Sequence, residues 1–100
     1  MALTADDFDH LDAFLQNRLD DARAQLPEGA RDAVLALDAL RYEVARAAGA
    51  ANLLGTGTAG TRTAADAWET LRHIARRWKD HPDFRLEFAL PSRDLTGPTR

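Results

Sequence analysis

Residues 31–54, RDAVLALDALRYEVARAAGAANLL, decide the fold. Apolar side chains recur at Ala33, Leu37, Leu40, Val44, Ala47, Ala51 and Leu54. The spacing alternates four and three, which is the heptad seam of a helix lying along other helices. The pattern predicts one unbroken helix over residues 28–54, roughly 40 Å long at 1.5 Å per residue. A second apolar track, Leu35, Tyr42 and Gly49, runs beside the seam at intervals of seven. A helix with two apolar tracks is either enclosed within a bundle or offers one face to another chain. Ala45, Ala47, Ala48, Gly49, Ala50 and Ala51 add a stripe of small residues, against which another backbone can come close.

Working outward toward the N-terminus, Leu26-Pro27-Glu28-Gly29 breaks the chain, because Pro27 lacks an N–H and disfavours helix at Leu26. A connection this short makes its flanking helices antiparallel neighbours. The preceding segment predicts a helix over residues 5–25. Thr4 is its cap and Asp7 the reciprocal capping-box residue, with Leu3 and Phe8 placed as a hydrophobic staple. Phe8, Leu11, Leu15 and Ala22 mark its inner face, flanked by Phe14 and Leu19. Arg18 falls at the edge of that face, where a snorkelling stem or an ion pair with Glu43 would accommodate it. Asp6, Asp7, Asp9 and Asp12 favour the positive end of this helix. One short acidic face supplies too few converging oxygens for a divalent cation.

Toward the C-terminus, residues 55–61 (GTGTAGT) match G-x-G-x-x-G in letters. The dinucleotide fingerprint needs a strand before it and a βαβ unit around it, and a long helix precedes this one. A helix-to-helix linker is the expectation. Thr63 then caps a third helix whose seam is Ala64, Ala67, Leu71, Ile74 and Trp78, widened by Trp68 and Ala75. Its outer face carries a basic patch of Arg72, Arg76, Arg77 and Lys79. His81-Pro82 ends it. Phe84, Leu86, Phe88 and Leu90 alternate beyond, which suits a strand, a short helix begun at Asp83, or an extended arm. A lone strand has no partner here, so a short helix or arm covering the base of the core is expected. Residues 91–100 read as a loose tail.

The 100 residues make one domain, expected over residues 1–90. Charged residues are 29% with a net charge of −3, a balance that argues against a strongly basic nucleic-acid binder. The chain holds no cysteine, which removes disulfides and thiolate metal sites and fits a cytoplasmic protein. The opening residues show neither a basic region nor an apolar run, so no secretory signal is expected. No apolar run is long enough to cross a membrane.

Three segments, LDAFLQNRLDD (residues 11–21), LDALRYEV (37–44) and LRHIARRWKDHPDFRLEF (71–88), resemble a family of small uncharacterised actinobacterial proteins. In that family an AFL-x-x-RLD-like helix precedes a closing HPD-aromatic-R segment, matched here by His81-Pro82-Asp83-Phe84-Arg85. Phe88 stands where the family pattern has Trp. The resemblance implies an intracellular bacterial protein and carries no activity or site.

The sequence thus predicts an all-α, three-helix antiparallel bundle with a long central helix. Its expected role is non-enzymatic, through contact with a protein partner or a second copy across Leu35, Tyr42 and Gly49. No catalytic residue, cofactor or metal is expected. Two alternatives are a metal-binding or hydrolytic protein using His73, His81 and Asp83, with Asp80, His10 and Asp12 nearby, and a weak nucleic-acid-binding regulator using Arg72, Arg76, Arg77 and Lys79.

Overall fold

The structure, a computed structural model, describes residues 3–89. The first helix, α1 (Ala5–Ala24), begins as the capping pattern requires. Thr4 Oγ1 accepts the Asp7 N–H at 3.3 Å, and the Asp7 carboxylate accepts the Thr4 N–H at 2.9 Å. Leu3 and Phe8 are both buried around that first turn. Phe8, Leu11, Phe14, Leu15 and Leu19 form its buried face. The chain then turns through Gly29, whose φ of 88° suits a residue without a side chain.

The second helix, α2, spans Arg31–Ala48 and continues as a 3-10 turn over Gly49–Leu53. The expected unbroken α-helix over residues 28–54 is therefore shorter at both ends. Gly29 and Ala30 complete a turn first, with Ala30 N–H bonded to Pro27 O at 3.2 Å. At the other end the Gly49 N–H is shared between the carbonyls of Ala45 and Ala47, which tightens the helix.

The third helix, α3 (Thr58–Ala75), starts earlier than Thr63. Gly55 (φ 80°) and Gly57 (φ 110°) reverse the chain within the first half of the expected linker. The small residues 58–61 are then free to coil. Gly60 lets α3 pass beneath the 3-10 turn: a Cβ there would run into the Thr56 side chain and lie 2.8 Å from Leu53 O. Thr63 is interior to the helix, its hydroxyl bonded to Ala59 O at 3.1 Å. All three glycines of the G-x-G-x-x-G pattern thus serve a reversal between helices.

Packing is up-down-up. Gln16 meets Arg41 and Arg23 meets Asp38, so α1 and α2 run antiparallel. Phe8 meets Trp68, and Arg18 meets His81 beyond the end of α3, so α1 and α3 run the same way. The fully buried side chains come mainly from α1 and from Ala64, Trp68, Leu71 and Ala75 of α3. From α2 only Val44 is fully buried; Leu37, Leu40 and Ala47, with Ala51 and Leu54 just beyond the helix, are partly covered. The core therefore lies between α1 and α3, with α2 leaning on one side. The reason is volume: Phe8 and Trp68 pack edge to face at 5.4 Å and fill the space that alanines of α2 cannot.

Beyond α3 the chain tightens over Arg76–Trp78 and turns twice, with His81 N–H on Trp78 O and Phe84 N–H on His81 O, both 2.9 Å. A final 3-10 turn covers Leu86–Ala89. Among the described residues there is no strand. The alternation seen in sequence fails at Leu86, which is 76% exposed while Phe88 is buried. Phe84 and Phe88, four residues apart, both turn inward on Phe14, at 5.7 and 5.4 Å between ring centres. Leu90 and the expected tail lie outside the described residues.

Candidate functional site

The outer face of α2 carries two of the exposed large apolar side chains among the described residues. Leu35 is 58% exposed and Tyr42 67%. Gly49 is exposed too, with open space where a Cβ would stand. Asp32, Ala36, Ala39, Glu43 and Arg46 are exposed on the same helix. Arg46 donates to Glu43 at 2.9 Å, and this hydrogen bond, with the charge of Glu43, raises the Arg46 pKa above its usual value. The alanine stripe divides: Ala47, Ala48 and Ala51 pack onto the core, whereas Ala45 faces out.

The edge of α2 toward α1 is fixed by polar contacts. Gln16 Nε2 donates to Arg41 O, and Arg41 Nε donates back to Gln16 Oε1, each at 3.2 Å. Arg41 also pairs with Asp20, and Arg23 pairs with Asp38 at 2.9 Å. These contacts orient α2 and so determine which side of it stays outside.

A second cluster joins α1 to the segment after α3. Arg18, 11% exposed in its side chain, donates to His81 Nδ1 at 3.0 Å and to Asp21 at 3.1 Å, with Asp83 at 3.6 Å. Its guanidinium lies 5.3 Å from the centre of the Phe14 ring. The expected Arg18–Glu43 pair is replaced by these contacts, because Arg18 leans toward α3's end of the bundle rather than toward α2. The Asp83 N–H also points at His81 Nδ1, at 3.0 Å. An arginine can only donate, so Nδ1 accepts and the ring proton sits on Nε2. The Arg18 guanidinium and the Asp83 N–H thus converge on the same ring nitrogen of His81. The RLD segment of α1 and the HPD segment after α3 meet at this point. Nothing in the sequence specified this pairing; the only signal was a charged Arg18 at the edge of an apolar helix face.

Beside this cluster lies an open cleft of about 490 Å³, lined by His10, Asn17, Arg18, Asp83 and Arg85 over Phe14. Arg85 approaches His10 Nδ1 at 3.3 Å and Glu87 at 3.7 Å. Its charges are mutually compensated. His73 stands on the exposed side of α3, and Asp80 is also exposed. Among the described residues no group of three or more His, Cys, Asp or Glu converges as metal ligands.

The basic patch is split by the fold. Arg72 is partly buried, 3.3 Å from Glu69, and donates to Ala89 O at 2.8 Å, so it clasps the last 3-10 turn. Arg76, Arg77 and Lys79 remain exposed on and after the tightened end of α3.

No described helix is long and apolar enough to cross a membrane. Comparison of the chain with protein-family models, with curated proteins and with solved structures finds no match.

Proposed function

We propose that this chain is a small non-enzymatic protein that works through protein–protein contact, with the outer face of α2 as its docking surface. The observation that carries the reading is the one-sided burial of α2. Eighteen residues of helix bury one side chain fully, while Leu35 and Tyr42 stay more than half exposed. Large side chains are costly to leave in water when a polar residue would serve, and adjacent exposed ones mark contact surfaces. The cysteine-free composition supports a cytoplasmic setting, and the HPD-aromatic-R resemblance supports an actinobacterial one.

The test is site-specific photo-crosslinking in living cells. A photoreactive side chain at Leu35 is compared with one at His73, on the exposed side of α3. The reading expects protein adducts at position 35 that Tyr42→Glu abolishes. Equal adducts at both positions, or none at position 35, would refute it.

A further inference from the structure

We propose that two copies of this chain pair antiparallel through the outer face of α2, in a register centred on Ala39. The proposal rests on the reading of that face as a docking surface and names its occupant. At about 100° per residue, Asp32, Leu35, Ala36, Tyr42, Glu43 and Arg46 all lie within roughly 60° of the direction of Ala39. All of these positions are exposed. The centre of the strip is small, Ala36 and Ala39, so two helix axes can approach closely there.

A two-fold axis perpendicular to both helices carries each position to the opposite end of the strip on the same flank. Leu35 and Tyr42 share a flank, about 6 Å and about 4.5 Å either side of Ala39 at 1.5 Å per residue. Tyr42 of one copy therefore covers Leu35 of the second copy, and the same contact forms again by symmetry. Asp32 and Arg46 lie about 10.5 Å either side of the centre. Each carboxylate thus meets a guanidinium of the second copy. A parallel pairing would instead oppose Asp32 to Asp32 and Arg46 to Arg46. Charge alone selects the antiparallel arrangement. Arg46 keeps its bond to Glu43 and still has N–H groups to offer, since its fork carries five.

The strip is about 21 Å long and one helix wide. That is small beside stable dimer interfaces of about 800 Å² per partner, so the pairing is weak and depends on concentration. Sedimentation velocity from about 5 to about 500 µM reads it directly, over the range where such small interfaces associate. The expected result is a mass rising from 11.0 kDa toward twice that value. Asp32→Arg alone and Arg46→Asp alone each weaken association at least about tenfold, while the double exchange returns it to within about threefold of wild type. Far-UV circular dichroism checks that all three variants fold. A wild-type chain that stays monomeric throughout, or variants indistinguishable from wild type, overturns the pairing. If the chain is monomeric but crosslinks at position 35 to a different protein, the pairing fails and the docking surface stands. If position 35 yields no adduct at all, both fail.

Discussion

Phe14→Ala probes the junction between α1 and the C-terminal segment. Phe14 is buried and meets His81, Phe84 and Phe88 at ring-centre distances of 5.8, 5.7 and 5.4 Å. Truncating a buried Phe costs about 3–5 kcal/mol. Aromatic pairs add about 0.5–1.5 kcal/mol each beyond area, which places this site at the upper end, about 4–5 kcal/mol. At about 4–8 °C per kcal/mol for a domain this size, the melting temperature falls by about 16–40 °C. Urea unfolding followed by circular dichroism measures the loss. The diagnostic result is the double variant. Phe14→Ala and Phe88→Ala share one cluster, so their effects couple by about 1–2 kcal/mol. Val44→Ala, on α2, adds to Phe88→Ala within about 0.5 kcal/mol. A cost below about 2 kcal/mol for Phe14→Ala, or strict additivity with Phe88→Ala, would refute the idea that residues 81–89 are held to the bundle by this ring.

Three further outcomes are expected. Thr4→Ala removes the reciprocal cap of α1 and costs about 1 kcal/mol by urea titration, whereas Thr4→Asp retains most of it. Gly60→Ala, which would raise helix propensity at an open position, instead destabilises by about 1–3 kcal/mol because the new methyl meets Leu53 O; a gain in melting temperature would contradict the close approach. The exposed Arg23–Asp38 pair shows a coupling below about 1 kcal/mol in a double-mutant cycle, shrinking further in about 1 M salt.

The three helices were legible because helical periodicity and turn residues are local signals. Thr4 and Asp7 marked the start of α1, and Leu26-Pro27-Glu28-Gly29 marked the break after it. Three things were not legible. The depth of burial of α2 depends on what its neighbours bring, and a seam of leucines and alanines looks the same whether fully or half covered. The early start of α3 depends on Gly60 fitting under the 3-10 turn, a tertiary contact that local pattern cannot carry. Period two at Phe84, Leu86 and Phe88 equally described two rings four residues apart with an exposed Leu86 between them. At the candidate surface, Leu35 and Tyr42 were visible as a second apolar track. Arg18, by contrast, was visible only as an oddity, since His81 and Asp83 lie more than sixty positions away.

The Gln16–Arg41 exchange has a consequence for folding fidelity. Leu37, Leu40 and Val44 repeat at near-equal intervals, so grease alone would let α2 slide a turn along α1 at little cost. A Gln16 amide that donates to the Arg41 backbone carbonyl and accepts from the Arg41 guanidinium fits in one alignment only. Displaced by a turn, they would leave two half-covered polar groups unmatched. The pair acts as an index pin, choosing a single setting among several that the apolar rows would tolerate.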